Sequence, residues 1–230
     1  MTARLVLVRH GQASFGSADY DLLSEVGRRQ SQLAGRALAA RRRRFDRVVS
    51  GSMRRHLETA AGCLAAMGHA ASWENDTGWN EFDHQELIRA HEPRYADHAL
   101  LHRELSLVPD AQLAFLSLFR VAFTRWVSGR HEGDYRETYT AFRTRVATAL
   151  SRAIAAAGRS GSVLVFTSGG PIAAAVGDRL GLSPERMLNL AFRLANAGIT
   201  ELIVRGDSLD VETLNDHAHL DDEPGLLTHR

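Results

Sequence analysis

The chain has 230 residues, 44% of them hydrophobic, and a formal charge of +1, enough for one sizeable core and no electrostatic case for nucleic acid or membrane as partner. All 28 basic residues are arginine, which excludes a Schiff-base lysine, a lysine general base and a Walker-type phosphate loop. Cys63 is the single cysteine, so an intramolecular disulfide and a thiolate metal cluster are excluded as well.

Met1 to Arg4 reads as charged and strand-like, and no apolar run approaches membrane-spanning length. A soluble cytoplasmic protein is the expectation. Leu5 to Val8 is a continuous apolar run, the pattern of a strand covered on both faces of a parallel sheet. A loop with Gly11, Ser14, Gly16 and Ser17 follows. Ser24 and Glu25 open a helix with Leu22, Val26, Leu33 and Ala37 spaced for one buried face. It ends in Arg41 to Arg44, a run read as solvated and favourably placed at the helix C-terminus.

Val48-Val49 reads as a second strand, with a loop at Ser50-Gly51-Ser52 and a helix from about Met53 to Met67. Cys63, inside that helix, reads as a small packing residue. From about 85 to 158 the pattern is helical, an expected insertion over one end of the sheet in a single domain of 1–230. Val163 to Phe166 is a further buried strand, passing through Thr167-Ser168-Gly169-Gly170 into a helix with Pro171 in its first turn. Thr200 to Val204 and Asp210 to Leu214 suggest a hairpin about Gly206-Asp207, and the tail after Leu220 reads as polar and loose. The expected class is α/β, a three-layer α/β/α arrangement with a mainly parallel sheet.

Open α/β sheets bind ligands at the carboxyl ends of their strands. Three polar, glycine-containing segments follow strands: Arg9-His10-Gly11-Gln12, Ser50-Gly51-Ser52 and Ser168-Gly169-Gly170. If these converge, they offer an imidazole beside guanidinium groups and backbone N–H donors at a helix N-terminus. That donor set suits a dianionic tetrahedral oxyanion.

Arg9-His10-Gly11-Gln12 after an apolar strand resembles the Arg-His-Gly-Glu/Gln signature of the histidine phosphatase (phosphoglycerate mutase-like) superfamily. Ser50 to Ala60 is similar to its second motif, Ser-x-x-x-x-Arg-x-x-x-Thr-Ala, which places the phosphate-binding arginine at Arg55. Asn80 to His84 resembles the segment that provides the acid, at Glu81, and Leu214-Asn215-Asp216 with His219-Leu220 resembles the terminal strand. The resemblance implies a phosphomonoester hydrolase that works without metal or organic cofactor on a small phosphorylated substrate. His10 would take the phosphoryl group, Arg9, Arg55, Ser168 and Gly169 would hold it, and Glu81 would act as general acid and base. Gln12 joins the site through the signature.

Two departures accompany it. The superfamily normally carries a second histidine where this chain has Ser168, and a serine brings a neutral donor but no charge. Ser168 Oγ–H with the N–H groups of Gly169 and Gly170 offers a partial offset, and His84, three residues after Glu81, is the alternative replacement. Phe15-Gly16 stands where mutases tend to have a Trp-Asn pair, which, with the acid segment, favours hydrolysis over mutase chemistry. The alternatives are a non-catalytic phospholigand-binding or regulatory relative, a mutase-type phosphotransferase, and an α/β-hydrolase using Ser168 with Asp216 and His217 or His219. In the last, Phe166 stands where the elbow needs glycine. His98 and His102 have metal-ligand spacing on a helix but no accompanying constellation, so no metal is expected. Arg89, His91, Arg94, Tyr95 and Arg136 are candidates for an anionic pocket in the insertion. Substrate identity and oligomeric state stay open.

Overall fold

A computed structural model describes residues 2–14, 21–206 and 208–229. It contains two compact units, Met1–Glu81 with Arg145–Arg230, and Phe82–Thr144.

The larger unit is built on a mixed six-stranded sheet of order β3-β2-β4-β1-β5-β6. Its strands are β1 (Ala3–Arg9), β2 (Arg47–Ser50), β3 (Glu74–Asn75), β4 (Ser162–Thr167), β5 (Ile199–Arg205) and β6 (Ser208–Asp216). β4 runs parallel to β1 and β2, and β3 parallel to β2, while β5 and β6 close one edge antiparallel. The central strands are buried on both faces, as their unbroken apolar runs require. β3, two exposed residues long, carries no such run and escapes a pattern reading. The turn expected at Gly206-Asp207 has Gly206 at φ 60°; Asp207 lies outside the described residues.

Helix α1 (Glu25–Ala40) starts where Ser24 accepts a hydrogen bond from the Gly27 N–H, and α2 (Arg54–Met67) ends at Gly68 in the left-handed region. Ala34, Leu38, Ala60, Cys63 and Leu64 pack under Val6, Val8, Leu164, Phe166 and Ile199. Each fully buried large side chain of this set contributes about 1.5–3 kcal/mol. Burial pushes the Cys63 thiol up to about 12, in keeping with a packing role.

The arginine run after α1 is not merely solvated. Arg41 and Arg43, with Arg4 of β1, converge on the Glu201 carboxylate, which is buried on β5. A carboxylate in that position needs partners, and the sequence pattern shows only the arginines. The tail is also tied down rather than loose. Gln30 donates to the Leu226 carbonyl at 2.6 Å and to Thr228 at 2.8 Å, Asn196 N–H donates to the Thr228 carbonyl, and Leu226 is buried. A polar tail stays ordered when buried amides supply its hydrogen bonds.

Pro171 lies in the first turn of α7 (Gly169–Gly177) as expected, and a further helix, α8 (Pro184–Arg193), is opened by Ser183 and Pro184. The smaller unit holds α3 (His84–His91), α4 (His98–Ser106) and α5 (Ala111–Val127), and α6 (Tyr139–Ala157) begins within it. Phe82, Phe123, Trp126, Tyr139 and Phe142 form its aromatic core, with the Phe82–Trp126 ring centroids 5.1 Å apart. Arg89 pairs with Glu86, and Arg94 with Glu104, which also accepts from Tyr95, so part of the proposed anionic pocket is committed to partners within this unit.

Candidate active site

The carboxyl ends of β1, β2 and β4 meet, because Arg9 pairs with Thr167 and Ser50 with Phe166 across the parallel ladders. His10 N–H donates to the Thr167 carbonyl at 2.8 Å, and Gly51 N–H to Phe166 at 2.9 Å. The convergence that the loop pattern required is therefore present. The loop after β1 is held by Gly11, where a Cβ would stand 2.3 Å from the Gly27 carbonyl oxygen, and by Thr59, which accepts from the Gly11 N–H at 3.0 Å. Thr59 of the second motif thus locks α2 to the loop that carries His10.

His10 is buried, and its Nδ1 lies 2.7 Å from the Gly11 carbonyl oxygen. A carbonyl only accepts, so the proton sits on Nδ1 and the lone pair on Nε2. Burial holds the imidazole well below its ordinary pKa, and the charges of Arg55 and Arg9, then His56, push the same way; the Gly11 hydrogen bond opposes them. The ring is consequently neutral, with an unprotonated Nε2.

Arg9 and Arg55 are both buried. Arg9 donates to the carbonyl of Leu194 and, at 3.5 Å, to that of His229. Arg55 pairs with Asp21 at 2.6 Å, and the other oxygen of the same carboxylate accepts from the Arg54 N–H at the start of α2, at 2.7 Å. Glu81 accepts from the Gly170 N–H at 3.0 Å, which brings its carboxylate to the N-terminus of α7. Arg145 fixes the segment before it by donating to the carbonyls of Thr77, Gly78 and Asn80. Gly169 packs with its Cα against Ala191, where a Cβ would lie 2.8 Å from the carbonyl oxygen. The Gln12 side chain accepts from Ser24 at 2.9 Å and so ties its own loop to α1.

Ser168 terminates β4 as the N-cap residue of α7, but its hydroxyl does not cap the helix. It lies 2.7 Å from Nε2 of His56, a fully buried residue on α2 that sequence reasoning missed. The His56 ring centroid is 5.7 Å from that of His10. His84, the substitute expected from the sequence, opens α3 in the smaller unit. Ser168 meets His56, while His217, one of the partners the α/β-hydrolase alternative calls on, faces Asp221 at 3.6 Å. Phe15 and Gly16 lie outside the described residues. Among the described residues, no three His, Cys, Asp or Glu side chains are grouped to share a metal ion.

The profile of the histidine phosphatase superfamily (branch 1) matches residues 5–105 and 111–217. The chain belongs to this superfamily. Solved structures share the fold. A phosphoglycerate mutase from Bacillus anthracis str. Sterne is 19% identical with a TM-score of 0.64, covering 95% of each chain. A phosphoserine phosphatase mutant from Entamoeba histolytica, solved with phosphoserine, is 18% identical with a TM-score of 0.63, covering 94% of this chain and 98% of its own. A mycobacterial glucosyl-3-phosphoglycerate phosphatase is 22% identical with a TM-score of 0.60, covering 94% and 99%. At these identities the likeness carries the fold, and both phosphatases and a mutase share it. No curated protein sequence matches the chain. Among the described residues no helix is long and apolar enough to cross a membrane.

Proposed function

We propose that this histidine phosphatase superfamily member is a cytoplasmic, metal-independent phosphomonoester hydrolase acting through a phosphohistidine on His10. The observation that carries the reading is the neutral His10 ring, pinned through Nδ1 to Gly11 with Nε2 left to attack, beside two buried arginines.

In the first step His10 Nε2 forms a bond to phosphorus as the ester P–O bond breaks, and Glu81 gives its proton to the departing oxygen. In the second step the Glu81 carboxylate takes a proton from water, whose oxygen displaces His10 and releases inorganic phosphate. Arg9, Arg55, the Ser168 hydroxyl and the N–H of Gly169 hold the equatorial oxygens. The phosphoryl group competes with Asp21 for Arg55. The helical stretch of about 85–158 is read as an insertion within one domain of 1–230.

A phospholigand-binding relative without turnover is the second reading, favoured by serine at 168 and by the Asp21 carboxylate already on Arg55. Release of inorganic phosphate from a panel of phosphomonoesters, with chelator present, separates the two. Turnover by the native protein and none by His10→Ala supports the hydrolase. Phosphate binding with no turnover from any ester supports the binding protein, and transfer to an acceptor alcohol in place of water would mark a mutase.

A further inference from the structure

His56 sits in the first turn of α2, immediately after Arg55, and is fully buried. Its Nε2 lies 2.7 Å from Ser168 Oγ, and among the described residues its Nδ1 has no hydrogen-bond partner. The ring reaches this place only because residue 51 is glycine. A Cβ on Gly51 would stand 2.3 Å from His56 Nδ1.

These contacts decide the direction of the hydrogen bond. If Ser168 donated to Nε2, the imidazole proton would sit on Nδ1, leaving a buried N–H with no acceptor. Buried orphan N–H groups are rarer than orphan lone pairs and leave their desolvation uncompensated. With the proton on Nε2, only a lone pair is orphaned at Nδ1. The imidazole then donates and Ser168 Oγ accepts. The Ser168 hydroxyl, fully buried at the end of β4, then keeps its own proton for another acceptor, and among the described residues its one hydrogen bond is to His56. A hydroxyl that accepts a strong hydrogen bond is also a better donor, by about 10–30% per bond.

The hydroxyl belongs to the end of β4, whose Thr167 carbonyl accepts from the His10 N–H, and the His56 and His10 rings are 5.7 Å apart. We propose that His56 is a positioning residue for phosphoryl transfer: by donating from Nε2 to Ser168 Oγ, it fixes the serine hydroxyl as a donor to a phosphoryl oxygen beside His10. The inference rests on the reading of His10 as phosphoryl acceptor. It assigns to a residue of α2, and not to His84, the support that Ser168 lacks by itself. His56 acts through Ser168 and does not touch phosphorus.

The first test uses the native protein. Nitrogen-15 NMR of the imidazole side chains is expected to show His56 protonated at Nε2 and bare at Nδ1, and the reverse tautomer overturns the proposal. The second compares His56→Gln, which keeps an N–H donor near the Nε2 position, His56→Phe, which keeps a ring without a donor, and Ser168→Ala. Turnover and affinity for orthovanadate, an analogue of the phosphoryl group in flight, are read for each. His56→Phe and Ser168→Ala are each expected to lower kcat about 100-fold, the low end of the loss when a preorganised donor is removed. The double variant should be no worse than Ser168→Ala alone, and His56→Gln should recover most of the loss. Losses that multiply in the double variant, or an unaffected His56→Phe, overturn the role. If the native protein binds vanadate without turnover, the same pattern in vanadate affinity keeps this inference while the hydrolase reading falls. If turnover depends on His10 but not on His56, only this inference falls, and if vanadate does not bind at all, both do.

Discussion

Asp21→Asn probes the proposed phosphate site without touching His10. The Asp21 carboxylate accepts from Arg55 Nη1 at 2.6 Å and from the Arg54 N–H at 2.7 Å. A negative group therefore rests on a guanidinium and a helix N-terminus, the donors that suit a phosphoryl oxygen. Asparagine keeps a carbonyl oxygen for the Arg54 N–H and removes the charge. The Arg55 side chain is 8% exposed and that of Asp21 31%, so the pair is partly screened. Its contribution is about 1 kcal/mol, with about 0.5 kcal/mol more from the lost charge at the helix N-terminus. Without ligand, Tm should fall by about 3–6 °C, at roughly 2–4 °C per kcal/mol for a chain of this size. An incoming anion no longer has to displace the carboxylate, so the same free energy returns as affinity. Orthovanadate or inorganic phosphate should bind about tenfold tighter, the equivalent of roughly 1.4 kcal/mol. Calorimetric titration at low salt, paired with thermal unfolding of the unliganded variant, reads both quantities. Weaker or unchanged anion binding alongside the lower Tm would refute the reasoning, since Asp21 would then be orienting Arg55 and not competing for its ligand.

Other perturbations have definite outcomes. The folded-state pKa values of His10 and His56 lie well below 6.5, through burial first and the Arg55 charge next, so both rings should stay neutral on NMR titration down through pH 6.5; a ring titrating near 6.5 contradicts the placement. Because the unfolded chain takes up protons below 6.5 and the folded chain does not, stability is retained above that pH and lost as pH falls further. Each histidine contributes up to about 1.4 kcal/mol per pH unit, measurable as a falling urea midpoint. Gly51→Ala drives a Cβ to 2.3 Å from His56 Nδ1, so it should cost about 1–3 kcal/mol and lower turnover by dislodging His56, and unchanged turnover would contradict that geometry. Cys63, with its thiol raised to about 12 and fully buried, should resist alkylation in the folded protein at pH 8.

Much of this arrangement is written in local patterns. Leu5 to Val8 and Val163 to Phe166 show as buried parallel strands because both faces are apolar, and the loops that follow them carry His10 and Ser168. The hold on His10 Nδ1 follows from a chain turn that brings the next carbonyl to the ring. What stayed hidden depends on contacts between elements. His56 reads as one more helix residue until Ser168 arrives from β4, more than a hundred positions away. The available signals were a glycine at 51 and a histidine directly after Arg55, in a chain whose position 168 lacks one. Asp21 reads as one of two loop acids before α1, with Asp19, until the fold sets it on Arg55. The arginines after α1 look solvated because their partner, Glu201, sits on a distant strand. The tail looks loose because its partners, Gln30 and Asn196, belong to other elements.

The most direct measurement on the central claim is to mix the protein with a turned-over phosphomonoester, quench within the turnover time in alkali, which preserves phosphohistidine, and map the modified peptide by mass spectrometry. A phosphoryl group is expected on His10, lost on brief acid treatment and not formed in His10→Ala. An acid-stable phosphoryl group on Ser168, or turnover that survives in His10→Ala, would contradict it.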